Sequence, residues 1–308
     1  MQDYYKKDNY IKAKKYAKEK GQINLISSTL STLITLLFLT LKGYGYLNLL
    51  ISNYYEIPFL QSSMFFLSLF VLSDLISIPF SCYNTFVIEE KYGFNKMTVK
   101  TFIFDKIKSY LLTIILGGAL LYGALLLVNI LENGFWLSLW LSLSILMLLI
   151  NMFYADIIVP IFNKLKPLES GSLREKIEQY SQKVGYSLKN IYVIDGSKRS
   201  SKANAFFSGL GPRKTIALYD TLIANHTEEE LVAVLAHEVG HYKKKHIVTS
   251  LLLTILQLGL MSYLLEICLK QNEISEALGG NEPVFHLGLL AFTILYLSLI
   301  HISEPTRP

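Results

Sequence analysis

Three features of the 308-residue sequence predict a multi-pass α-helical membrane protein that carries a small inserted α/β module. Apolar residues make up 52% of the chain and the mean hydropathy is +0.37, more than a soluble domain of this size tolerates. Those residues gather in runs near the ~20 residues that a bilayer-crossing helix needs: Ile23–Leu41, Ile57–Ile78, Leu111–Leu131, Phe135–Ile158, Ile247–Leu269 and Val284–Ile300. Between the fourth and fifth runs, residues 163–246 have the mixed composition of a soluble module.

Taken in order, residues 1–22 form a basic cytoplasmic segment with Lys6, Lys7, Lys12, Lys14, Lys15, Lys18 and Lys20, and Met1 is followed by charge rather than by a secretory signal core. Residues 23–162 hold four transmembrane helices, and residues 247–296 hold the remaining spans, the last of them cut short. The loop after the second run contains Lys91, Lys96, Lys100, Lys106 and Lys108, whereas Ser52–Glu56, Glu132–Gly134 and Lys270–Pro283 are poor in basic residues. Basic and basic-poor connections alternate, so the positive-inside rule puts the polar module on the cytoplasmic side. The net charge of +5 is thereby topological, and no nucleic acid partner is expected, because no basic patch with interleaved aromatics lies outside these loops. Cys82 and Cys268 sit in different apolar runs and are expected as free thiols.

Within the module, residues 163–246, Leu173–Val184 reads as an amphipathic helix, and Ile191–Ile194 and Thr215–Tyr219 read as strands bounded by glycine-rich turns. Ala203–Ser208 between them fits an exposed edge strand. Thr227 and Glu230 have the T-x-x-E spacing of a capping box, which starts a helix through His237-Glu238-Val239-Gly240-His241. Histidines four apart share one helical face, so His237 and His241 can both reach one tetrahedral Zn²⁺ while Glu238 lies beside it as general base. Gly240 is expected to leave room for another segment to approach the metal. This arrangement suits hydrolysis of a peptide bond by a zinc metalloendopeptidase.

Four motifs in order, Glu89–Lys96, Asp195–Ser201, Asn204–Phe207 and His237–His241, resemble the CAAX prenyl protease 1 family of integral-membrane zinc metalloendopeptidases. The resemblance implies a helical ring around an intramembrane chamber. It makes His237 and His241 zinc ligands, Glu238 the catalytic residue, and Asn204 and Ala205 the edge that pairs with the substrate backbone. The substrate it implies is a peptide or protein, prenylated CAAX proteins among them, reached from the lipid bilayer of a bacterial cell membrane or of the endoplasmic reticulum in a eukaryote.

Two departures from the family pattern give further expectations. The third zinc ligand of the family, a Glu, lies beyond the chain end, Glu266 and Glu273 being too near the far side of the next span to replace it. The family's first transmembrane helix precedes the lysine-rich segment. The chain therefore reads as truncated at both ends and inactive in this form, and residues 297–308 read as a translated sequencing adapter. Two other readings stand beside the leading one: a bacterial heat-shock-type quality-control metalloprotease, and a non-catalytic chamber binding lipidated or unfolded chains.

Overall fold

Among the residues described by the computed structural model, five helical stretches are long and apolar enough to cross a membrane: Asp8–Thr40, Pro58–Glu89, Val99–Leu131, Phe135–Phe162 and Val248–Lys270. The structure describes residues 7–131, 133–185, 190–208, 215–243 and 246–303. Each of the first five apolar runs of the sequence coincides with one of these stretches, overrunning it by a single residue at Leu41, Ile57 and Ile247, and the sixth opens the shorter helix at Phe285. The helices are α1 (Lys7–Thr40), α2 (Gly43–Ser52), α3 (Pro58–Tyr83), α4 (Val99–Leu131), α5 (Phe135–Phe153), α6 (Val159–Phe162), α7 (Ser172–Lys183), α8 (Asp220–Asn225), α9 (Glu228–Lys243), α10 (His246–Lys270), α11 (Asn272–Ala277) and α12 (Phe285–Ser303).

The spans carry the marks of helices whose solvent is hydrocarbon. Leu25, Leu33, Ile115, Ile145 and Leu256 are all more than half exposed, as a lipid-facing surface requires and a water-facing one resists. Hydroxyls on these helices turn back onto the carbonyls of the preceding turn, as Thr32 does to Ser28 O at 2.9 Å, Ser68 to Met64 O at 2.7 Å and Thr254 to Ser250 O at 2.9 Å. Pro58 opens α3 at a position where its missing N–H costs nothing. Two spans end in wide π-helical turns, Asn84–Glu89 after α3 and Tyr154–Ile158 between α5 and α6.

One compact unit comprises Met1–Ile88, Thr113–Leu141 and Gln257–Pro308. Its core gathers Tyr44 and Ile51 of α2, Phe65 of α3, Leu278, and Leu287 and Ala291 of α12. Gly45 N–H donates to Leu278 O at 2.8 Å, and a Cβ on Gly45 would lie 2.1 Å from Gly279 O, so only glycine permits this approach. Fully buried His286 bridges Asn48 Oδ1 at 2.7 Å and Ser62 Oγ at 3.2 Å, which joins α12 to α2 and α3 by polar contacts. Glu266 of α10 accepts the backbone N–H groups of Gly134 at 2.9 Å and Trp136 at 3.0 Å, and it meets Lys270 Nζ at 2.5 Å. A carboxylate from one helix thereby caps the orphan donors at the start of α5.

The other unit, Glu89–Leu112 and Ser142–Leu256, contains the α/β module. Its sheet has strand order β1-β2-β4-β3, with β1 at Leu165–Pro167, β2 at Asn190–Ile194, β3 at Ala205–Ser208 and β4 at Thr215–Tyr219. The β2 and β4 strands are parallel, and the outer pairings are antiparallel. Ile191, Ile216 and Leu218 of the sheet pack with Leu168, Ile177 of α7, Leu222 of α8 and the buried stripe of α9.

Hydrogen bonds tie connections between helices within each unit. In the second unit, the Lys-rich loop after α3 binds the module directly: Lys96 N–H donates to Arg199 O at 3.0 Å and Ser201 N–H to Phe94 O at 3.0 Å. In the first unit, Lys270 Nζ reaches Asn133 Oδ1 at 2.8 Å, and Leu278 O accepts from Gly45. The lysine segment before the first span is itself helical from Lys7, one continuous helix with the apolar run.

Candidate metal centre

Helix α9 begins where the sequence places it. Thr227 N–H donates to Glu230 Oε2 at 2.9 Å and Glu230 N–H to Thr227 Oγ1 at 3.3 Å, the reciprocal pair of a capping box. Its first turn, Glu228 to Glu230, favours the positive end of the helix dipole and is tied to α7. Lys176 Nζ lies 2.8 Å from Glu228 and 2.6 Å from Glu229, and Ser172 Oγ donates to Glu228. These bonds hold both carboxyls below the usual carboxylate range and raise the Lys176 ammonium above its ordinary value.

Leu231, Leu235 and Val239, spaced four apart, form the stripe that α9 buries in the module core. Burial of each is worth about 1.5–3 kcal/mol, so packing sets the rotation of the helix independently of any ion. His237 falls between these positions on the exposed face, and the backbone of His241 follows one turn later. The side chains of Glu238 and His241 lie outside the described residues. A Cβ on Gly240 would meet nothing within 4 Å, so the space beside that glycine is open among the described residues.

An exposed histidine on α9, His237, with a second histidine, His241, one turn later in the chain, fits a zinc ion in part. Among the described residues no cluster of three or more metal-ligating side chains forms. Glu266 is committed to the N-terminus of α5. His237 and His241 would hold the ion, and a further ligand has to join them.

Strand β3 supplies the second half of the site. It pairs with β4 alone among the described strands, which leaves its other side as an edge. Asn204 O accepts Tyr219 N–H at 3.1 Å, so alternation along an antiparallel ladder turns the N–H and C=O of Ala205 and Phe207 to the free edge. The outward Ala205 N–H is met by the Asn204 Oδ1 at 2.9 Å, and the Ala205 methyl packs on the core that holds α9.

The segment before β3 is fixed at almost every residue, which sequence reasoning missed. Gly196 lies so close to the Tyr219 ring that a Cβ there would sit 2.1 Å from it. Burial pushes the Tyr219 hydroxyl above its ordinary pKa. Ser197 N–H donates to Asp220 Oδ1 at 2.8 Å, and its hydroxyl also donates to that carboxylate. The Arg199 guanidinium makes a bidentate pair with Asp105 at 2.7 and 2.9 Å and donates to Phe162 O at 2.6 Å. Lys202 Nζ lies 2.8 Å from Glu89 and over the Phe94 ring, and Lys202 O accepts the Thr221 hydroxyl at 2.9 Å. Glu89–Lys96 and Asp195–Ser201, noted separately in the sequence, thus fold into one contact.

The fold is that of a multi-pass helical membrane protein with a small α/β module. Residues 1–164 match the family described as CAAX prenyl protease N-terminal, five membrane helices, and residues 167–304 match peptidase family M48. The chain belongs to the CAAX prenyl protease 1 family of M48 peptidases. It is 37% identical to the probable CAAX prenyl protease 1 of Schizosaccharomyces pombe over 84% of this chain and 57% of that one. Against CAAX prenyl protease 1 of Saccharomyces cerevisiae it is 36% identical over 80% of this chain and 57% of that one. The chain thus spans little more than half the length of these yeast relatives. Its fold superposes on the crystal structure of S. mikatae Ste24p with a TM-score of 0.90 and 31% identity, covering 97% of this chain and 74% of that one.

Proposed function

We propose that this chain is part of a membrane zinc metalloendopeptidase that cleaves extended peptide ends, those of prenylated CAAX proteins included. The observation that carries this reading is the pairing, in one core, of a helix that leaves His237 exposed, with His241 one turn further on, and a β-strand whose edge is open among the described residues. The names of its relatives favour CAAX processing over membrane quality control.

His237 and His241 would bind Zn²⁺, which when bound polarises the scissile carbonyl and lowers the pKa of a water to about 7. Glu238 would take the proton of that water on its carboxylate and deliver it to the leaving amine. Ala205 would accept the substrate as an added strand through its outward N–H and C=O, with Asn204 contacting the same backbone. The module would face the cytoplasm, because the loops it binds are the lysine-rich ones.

The test is Glu238→Gln in the protein of the full gene, with a farnesylated CAAX peptide as substrate and mass spectrometry of its fragments. Loss of general-base catalysis should lower turnover by about 10²–10⁴-fold while zinc content is retained. Unchanged cleavage by the variant would rule the reading out.

A further inference from the structure

The ion pair between Arg199 and Asp105 lies outside the zinc helix and outside β3, yet it ends a chain of bonds that leads straight to the free edge. Asp105 belongs to α4, whose first residues continue the Lys-rich loop, and Phe162 ends the helical stretch before the module. Arg199 joins both: two bonds to the carboxylate and one to the terminal carbonyl, with its side chain only 17% exposed and that of Asp105 18%. Lys108 of α4 likewise donates to Ile161 O at 2.7 Å, so two cations serve the C-terminal carbonyls of this stretch.

From Arg199 the backbone has little slack before the strand begins. Ser200 bridges Asn95, Ser201 N–H and hydroxyl bind Phe94 O and Gly93 O, and Lys202 is tied to Glu89 and to the Thr221 hydroxyl. Asn204 O then enters the ladder with β4. A shift at Arg199 therefore passes to Asn204 and Ala205, whereas α9 is held separately by its own apolar stripe and by α7.

We infer that Arg199, through Asp105 and Phe162 O, is a positioning residue that sets the substrate-pairing edge of β3 relative to the first turns of α4 and the end of the helical stretch at Phe162. The inference rests on the function proposed above, in that the edge is taken as the place where peptide binds. Arginine suits the task because its planar fork satisfies a carboxylate and a carbonyl at once, and lysine cannot do so in the same geometry.

The experiment compares Arg199→Gln, Arg199→Lys and Asp105→Asn with the parent protein, full-length and in detergent. Hydrogen–deuterium exchange is followed at 204–208, with β2 and the first turns of α9 as internal references. Cleavage of the farnesylated peptide supplies KM and kcat. Arg199→Gln and Asp105→Asn should speed exchange at 204–208 without changing the references, and raise KM about tenfold with kcat within about twofold; Arg199→Lys should fall between them and the parent. Exchange at 204–208 that equals the parent's, or that rises together with the references, would overturn the inference. If the parent cleaves nothing, the proposed function fails while the exchange comparison still decides whether Arg199 holds the edge.

Discussion

At the scale of single residues, the sharpest constraints are steric and local. Gly45 sits where a methyl group would enter the carbonyl of Gly279, itself at φ +88, which side-chain-bearing residues rarely adopt. Gly45→Ala must push α2 off that turn, at a cost of about 1–3 kcal/mol. The detergent-solubilised variant should melt several degrees lower, whereas Gly117→Ala, with nothing within 4 Å, should not; equal melting of the two would refute the packing argument. Some residue-level features were readable beforehand. The capping box at Thr227 and Glu230 depends on a spacing of three, and spacing is visible in sequence. The bidentate pair of Arg199 and Asp105 was not, because its partners are 94 residues apart and each alone looks like an ordinary surface charge.

Among the elements, strands Ile191–Ile194 and Thr215–Tyr219 and the edge at Ala205–Ser208 follow from β-branched and aromatic residues between glycine-rich turns. The three-residue β1 and the π-helical turns escaped, since neither shifts composition or leaves a hydrophobic period. The junction of α7 and α9 allows a pH prediction. Because Glu228 and Glu229 are lowered by Lys176, their contribution to stability is present above the ordinary carboxylate value of about 4.3 and lost as pH falls through their lower folded values. Lys176 is raised, so its part is present below the ordinary lysine value of about 10.4 and lost as pH rises through the folded one. The melting difference between parent and Lys176→Met should thus be present at pH 7 and disappear in strong acid. A difference independent of pH would show that the ion pairs contribute nothing.

For the whole molecule, apolar runs announce the spans, and alternation of charge gives an expectation of which connections share a side. The bonds of Lys96 and Ser201 to Arg199 and Phe94 join the loop after α3 to the module. Single cysteines at Lys91 and Glu175, in a variant lacking Cys82 and Cys268, should react with an impermeant maleimide from one side of sealed membranes. A cysteine at Tyr54, which is 82% exposed, should react from the other. Opposite labelling of positions 91 and 175 would invalidate the topology. Composition could not reveal how Glu266 serves α5 or how His286 joins three helices, because both depend on which helices become neighbours.

An open strand edge invites pairing with any extended chain, including the same edge of another molecule. The Asn204 amide already occupies the outward donor of Ala205, so the resting edge offers one fewer unpaired group to a chance encounter. A peptide must displace that amide with its own carbonyl, exchanging one hydrogen bond for another, and can succeed only if the rest of its length finds partners as well. The Asn204 side chain thereby guards the open edge, making self-association the less favourable outcome.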